Sequence, residues 1–234
     1  MRKRCEFVFA ISLGLFSLTG CGGGGSGGDV SGSDGQVVSD ITGSNINSWG
    51  SGTSGTNRWV GTGTNAPQIA VFIPTPTNVT ETDLAAKTRG AIAAHNHKLA
   101  GSAVLTEVST APASGGYFRV SYLTSYVPPG STDYSSYCAN VSTAAGAPNV
   151  VNPASPSGSR NQAVAWINLG NGHCDVTQDI VTHEFGHGLG LGNHFHGFGD
   201  PEPISTEFWD VLATLYANPV RTPAAQLAVH RAPA

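Results

Sequence analysis

Two histidines four residues apart, His183 and His187, constrain this chain more than any other feature of its sequence. Residues at this spacing lie on one face of a helix, so both imidazoles can bind one metal ion, with Glu184 beside them. This is the ligand pattern of a zinc site: the ion lowers the pKa of a water molecule to about 7, and a nearby carboxylate can take the proton. The motif therefore predicts a Zn²⁺ cofactor and hydrolytic chemistry. The alternative is a core helix that carries two histidines by coincidence.

The residues around the motif favour a helix that ends soon after it. Asp175 and Gln178 fit an N-cap and its capping-box partner. Apolar positions for a buried helix follow at Val176, Ile180 and Phe185. Glycines then recur at every second position from Gly186 to Gly192, which predicts that they interrupt the helix and let the chain turn back toward the metal.

The motif and the glycine at position 190 resemble the metzincin metallopeptidases, and most of all the matrixins. Their pattern is H-E-x-x-H-x-x-G-x-x-H followed by a turn that contains methionine. The resemblance implies an α+β fold of the zincin type, with a small mixed sheet, an active-site helix and a C-terminal helix. It also implies a zinc metalloendopeptidase that cleaves a protein or peptide substrate, with Glu184 as the catalytic general base.

The third zinc ligand departs from the family pattern by one residue. Asn193 occupies the position of the family's third histidine, and His194 follows it directly. A loop one residue longer would bring His194 to the zinc, and an imidazole binds zinc far better than an asparagine amide. We therefore expect His194 to complete the site, with His196 and Asp200 as nearby substitutes.

A methionine turn is absent, because the only methionine in the chain is Met1. A segment rich in proline and glycine, from Phe198 to Ile204, stands in its place and offers no evident substitute. Glu207 supplies a competing third ligand, because its spacing from His187 resembles that of thermolysin-like zincins. These departures leave two other hypotheses open: a zincin-like surface protein that binds zinc or a partner without cleaving it, and a structural envelope lipoprotein with an incidental motif.

The N-terminus has the features of a bacterial lipoprotein signal. Basic residues Arg2–Arg4 precede an apolar run, Phe7–Leu18, that is too short to span a membrane in the mature protein. The sequence Leu-Thr-Gly-Cys that ends at Cys21 resembles the lipobox, whose cysteine is lipidated; an ordinary cleaved signal peptide is the alternative. We expect residues 1–20 to be a signal peptide and the protein to lie in the bacterial cell envelope, on the periplasmic or surface face of the outer membrane, or to be secreted.

Beyond Cys21 the composition divides the chain in two. Residues 21–57 are dominated by Gly, Ser, Thr and Asn, which predicts a flexible linker. Residues 58–234 are long enough for one domain with its own core, the metallopeptidase domain. We expect the last part of that domain, from Arg221, to be poorly ordered.

Hydrophobic patterns within the domain predict the order strand, helix, three strands, helix, which matches the metzincin N-terminal subdomain. The predicted segments are strands at Ile69–Ile73, Val104–Ser109, Tyr117–Leu123 and Ala163–Leu169, and a helix at Thr82–Ala100. A C-terminal helix should begin at Ser205 or Thr206 and stop at Asn218. The long loop Ser125–Gln162 should border the cleft, and it lacks the acidic cluster that a calcium site would need.

Cysteine usage and charge limit the remaining functions. Cys138 and Cys174 form an even pair in an oxidising compartment and predict a disulfide, although Cys174 could instead be a zinc ligand. The chain has a formal net charge of −4, and loss of the basic signal segment leaves it more acidic. We therefore expect no nucleic-acid partner, membrane contact through the lipid anchor only, and a monomer.

Overall fold

The computed structural model describes residues 32–48, 55–149, 159–161, 164–199 and 202–234. These residues form one mixed β-sheet of five strands, together with four α-helices. The strands are β1 Gln68–Phe72, β2 Val104–Val108, β3 Tyr117–Tyr122, β4 Ala139–Ser142 and β5 Val164–Leu169. The helices are α1 Asp34–Ile41, α2 Val79–Leu99, α3 Gln178–Leu189 and α4 Thr206–Ala217. The chain therefore has the α+β class that the sequence predicted.

The sheet is parallel except at one edge. Its strand order is β2-β1-β3-β5-β4, and only β4 is antiparallel to its neighbour, with Val141 opposite Ile167. Helix α2 provides the crossover that two parallel neighbours, β1 and β2, require. Strand β4 lies inside the segment that we predicted as a loop from Ser125 to Gln162, so that prediction is corrected for Ala139–Ser142. Four residues with mixed polarity are too short a pattern to detect.

Helix boundaries follow the side chains that cap them. Helix α2 begins at Val79, three residues before the predicted Thr82, because Asn78 caps it. The Asn78 side chain accepts a hydrogen bond from Glu81 N–H at 2.9 Å, and the Glu81 carboxylate accepts one from Thr77 N–H at 2.7 Å. Helix α4 begins as predicted, with Ser205 as its N-cap. These caps fix the residues at which the two helices begin.

The predicted linker is folded where the structure describes it. Helix α1 packs against α4, and the side chains of Val37 and Ile41 are fully buried in the common core. A short π-helical turn, Thr42–Ile46, continues α1. The folded part therefore begins before Arg58, and the linker expectation is corrected for residues 33–48. The predicted signal peptide and Cys21 lie outside the described residues.

The C-terminal segment also belongs to the folded structure, contrary to the prediction of a poorly ordered tail from Arg221. The Asn218 side chain donates to the carbonyl of Ala228 at 2.8 Å, and the Thr214 hydroxyl donates to the carbonyl of His230 at 2.9 Å. Arg231 pairs with the buried carboxylate of Asp210 at 2.8 Å. None of the helices in the described ranges combines the length and apolar character that crossing a bilayer requires.

A disulfide joins Cys138 to Cys174, which confirms the predicted pair. Cys138 directly precedes β4, and Cys174 lies in the loop between β5 and α3. The bond therefore ties the edge strand to the start of α3. It also removes Cys174 from the possible metal ligands, because its sulfur is already bonded.

Two buried carboxyl groups meet where α1 contacts α4. Asp40 and Glu207 are 9% and 7% exposed and lie close enough for each carboxyl group to affect the pKa of the other. Burial raises the pKa of both groups, and the charge of Asp40 raises that of Glu207 further. A raised pKa in the folded state stabilises that state at low pH, and the stabilisation is lost as the pH rises through the raised value.

Replacing Glu207 by glutamine should therefore stabilise the protein at alkaline pH. The amide can donate permanently to Asp40, so we expect the midpoint of thermal unfolding to rise by about 2–4 °C at pH 8, the effect of about 1 kcal/mol. The gain should shrink toward pH 4, where the wild-type pair is protonated. Thermal scans from pH 4 to pH 8 measure it, with Asp175→Asn as an exposed control of equal charge change. A gain that did not depend on pH would contradict the raised pKa values of this pair.

Candidate metal site

Three histidines converge at the end of α3. The Nε2 atom of His187 lies 2.9 Å from Nε2 of His183 and 3.1 Å from Nε2 of His194. Zinc–nitrogen bonds in a tetrahedral site place ligand nitrogens about 3.3 Å apart, so these separations are close to those of a zinc site. The three histidines could therefore hold one metal ion, as predicted from the motif and the one-residue-longer loop. The geometry does not identify the metal.

Hydrogen bonds fix which ring nitrogens of the first two histidines face each other. Nδ1 of His183 lies 2.8 Å from the carbonyl oxygen of Gly199, and Nδ1 of His187 lies 2.7 Å from that of Leu191. Because a carbonyl only accepts, each Nδ1 carries the proton and each Nε2 presents a lone pair. This is the tautomer that binds a metal through Nε2.

The protonation state of these rings favours a cation between them. Burial, the main cause, lowers the pKa of His183 to about 4, and the pKa of His187 lies well below its usual range for the same reason. Both rings are therefore neutral at pH 7. Two lone pairs 2.9 Å apart repel unless a positive ion lies between them, so the donor set fits a metal ion.

The alternative third ligands have other contacts. The Asn193 side chain donates to the carbonyl of Gly43 at 3.1 Å, and His196 is 91% exposed beside Glu202. Glu207 lies beside Asp40, and its carboxylate is not in the group of ligand atoms that lie within 4.8 Å of one another. The structure thus separates Asn193, His196 and Glu207 from the cluster; Asp200 lies outside the described residues.

Phe198 forms the floor beneath the three imidazoles, a role that the sequence did not reveal. Its ring centroid lies 4.7 Å from that of His183, 4.9 Å from His187 and 5.1 Å from His194, and its side chain is 1% exposed. On its other side it packs against Phe208 of α4 at 5.3 Å. A large apolar side chain thus lies where the family pattern has its methionine turn. Its only sequence signal was an aromatic residue in a turn of prolines and glycines.

Close packing, rather than a break in the helix, explains two of the four glycines. Helix α3 continues through Gly186 and Gly188, where an added Cβ would lie 2.7 Å from the Phe208 ring and 2.9 Å from the Phe118 ring. The helix ends at Leu189 and is capped by Gly190, whose φ of +126° disfavours any residue with a side chain. Its N-cap is Thr177, whose hydroxyl accepts from Ile180 N–H, and not Asp175 as predicted. These glycines let α3 approach α4 and β3 closely.

Glu184 lines a cavity of about 350 Å³ together with the three histidines. Its side chain is 5% exposed. Strand β4 and the segments around it, including Ser136 and Asn149, also line this cavity, so the predicted contact of the long loop with the cleft is confirmed. An adjoining cavity of about 340 Å³ shares that wall and is lined also by Tyr126 and Tyr137. A carboxylate, a possible metal site and room for a substrate thus occur in one place.

Comparison with protein-family models, with curated proteins and with solved structures found no match to this chain. The interpretation of the site therefore depends on its own geometry and chemistry.

Proposed function

We propose that the protein is a zinc-dependent metalloendopeptidase of the metzincin type, a zincin-like fold anchored to the bacterial envelope through a lipid on Cys21. The observation that carries the proposal is the convergence of His183, His187 and His194 in the cavity that Glu184 also lines. The resemblance of the H-E-x-x-H stretch to metzincins agrees with this chemistry. Fold class alone would not support it, because one fold serves many functions.

The chain's own residues would divide the work of hydrolysis between them. Zinc, when bound by the three histidines, supplies a positive charge that lowers the pKa of a water molecule to about 7. Glu184 would accept the proton of the attacking water and then pass it to the nitrogen of the leaving amine. The carbonyl groups of Gly199 and Leu191 would keep the first two imidazoles in the orientation that binds the ion.

The position of β4 favours an extended peptide as the substrate. The strand is the last one on its side of the described sheet, and Ala139, Asn140 and Val141 line the cavity. An extended chain can pair with such an edge through backbone hydrogen bonds. A peptide bound there would run along the cavity that Glu184 lines.

The experiment that tests the proposal measures metal content and peptide cleavage together. The full chain, carrying Cys21→Ser to remove the predicted lipid site, should bind one zinc ion per molecule and cleave members of a quenched fluorescent peptide library. A zinc chelator should stop the cleavage, and added zinc should restore it. Zinc without cleavage would instead favour the surface protein that binds zinc or a partner, and absence of zinc would overturn the metal site.

Loss of His194 should weaken zinc binding more than loss of any other histidine outside α3. Removing a group that hydrogen-bonds to a metal ligand typically lowers the metal affinity about 10–100-fold. Because His194→Ala removes a proposed ligand itself, it should lower zinc affinity by more than about 100-fold. His196→Ala is the matched control, because that side chain is exposed and two residues away. Competition with a chelator of known affinity measures both dissociation constants. Equal affinities of the two variants would remove His194 from the site.

A further inference from the structure

The loop that carries His194 has no regular structure of its own. Helix α3 ends at Leu189, and His194, whose side chain is exposed, comes five residues later. A metal ion that had to order this loop would lose affinity, because ordering the backbone costs conformational entropy. Some other part of the chain must therefore hold the loop if the site is to be preformed.

Asn45 joins the beginning of this loop to the N-terminal segment. It is fully buried, and its side-chain amide donates to the carbonyl of Gly190 at 2.7 Å and to that of Asn57 at 2.7 Å. Its side-chain oxygen accepts from the backbone N–H of Asn57 at 2.9 Å. One side chain thus fixes three separate segments to one another just after α3 ends.

Further hydrogen bonds follow the loop toward His194. Gly192 N–H donates to the carbonyl of Ser44, and Asn193 N–H donates to the Ser48 hydroxyl at 3.0 Å. The Asn193 side chain donates to the carbonyl of Gly43. These partners lie in or beside the π-helical turn, a rare conformation that occurs often at functional sites. These contacts reach Asn193, the residue directly before His194.

We propose that residues 43–48 hold the loop 190–194 in the conformation that brings His194 to the other two histidines, with Asn45 as the main positioning residue. This inference rests on the proposed metal site and goes beyond it, because it makes a segment of linker-like composition part of that site. The turn would act through the loop and not through contact with the metal or substrate. Its loss should then change metal binding without removing a ligand.

Asn45→Ala should weaken zinc binding by about 10-fold, the lower end of the effect of losing an outer partner of a metal ligand. The matched control is Asn96→Ala. The Asn96 side chain also makes two hydrogen bonds to backbone groups: it donates to the Leu105 carbonyl at 2.9 Å and accepts from Leu105 N–H at 2.8 Å. It lies on α2, far in sequence from the three histidines of the proposed metal site. Zinc affinity in the full chain is measured by chelator competition. The visible spectrum of bound Co²⁺ reports whether the ligand geometry has changed.

A weaker affinity and an altered Co²⁺ spectrum in Asn45→Ala, with wild-type values in Asn96→Ala, would support the proposal. Wild-type values in a folded Asn45→Ala variant, or equal losses in both variants, would overturn it. If Asn45→Ala does not fold, Ser48→Ala decides: it should weaken binding about threefold to fivefold, the effect of one hydrogen bond, and Ser48→Thr should restore it. Unchanged affinity in Ser48→Ala would then overturn the proposal. A wild-type chain without metal would overturn the proposed function as well, so the two failures are distinguishable.

Discussion

Replacing Glu184 by glutamine should lower the rate of peptide cleavage by about 100-fold to 10,000-fold and leave the metal content unchanged. This range is the usual contribution of a general acid–base group, and glutamine preserves the shape of the side chain while removing its ability to take a proton. Glu184 is buried in the wall of the cavity that the three histidines also line, and it directly follows His183 in the sequence. Its loss should therefore act on the chemical step and not on the fold.

The measurement is the turnover number on the best peptide from the library, with zinc content determined on the same sample. Glu202→Gln is a suitable control, because its carboxyl is half-exposed beside His196 and outside the cavity lining. A Glu184→Gln variant with wild-type turnover would remove Glu184 from the mechanism. A variant that had lost its zinc would instead assign the residue to metal binding.

The parts of the site that were predictable from the sequence depend on local patterns. The spacing of His183 and His187 is a property of one helix, and the pairing of Cys138 with Cys174 follows from counting cysteines in an oxidising compartment. His194 could be proposed because it lies one residue beyond the third-histidine position of the metzincin pattern, so that only one extra loop residue had to be assumed. Each of these inferences needed only a few neighbouring residues.

The parts that were missed depend on contacts between distant segments. Helix α1 lies in a segment whose composition is typical of linkers, and so short a helix depends for its stability on packing against α4 and on burying Val37 and Ile41 in the core. Strand β4 needs the ladder of β5, and the C-terminal segment needs the polar side chains of α4. Residue composition alone does not report such partners. For the same reason the sequence did not reveal Phe198 as the floor of the histidine cluster, because that role depends on contacts with three histidines from two other segments.

Phe198→Ala should produce the largest loss of stability among the substitutions considered. Removing a buried phenylalanine costs about 3–5 kcal/mol, which for a domain of this size lowers the midpoint of thermal unfolding by roughly 10 °C. The alanine would also leave a cavity beneath the three imidazoles and allow them to move, so zinc affinity should fall by about 10-fold. Phe198→Met should cost less than about 1.5 kcal/mol and keep most of the affinity, because it conserves volume.

A control at Phe118 separates the floor of the site from the core in general. Phe118 is also fully buried, and its ring packs against Trp59 at 5.4 Å and Phe185 at 5.4 Å rather than against the three clustered histidines. Phe118→Ala should therefore lose similar stability with little change in zinc affinity at a temperature where both variants are folded. Thermal scans and chelator competition measure the two quantities on the same samples. Equal losses of affinity would mean that Phe198 acts only through the stability of the core, whereas a selective loss would assign the floor of the metal site to a phenylalanine.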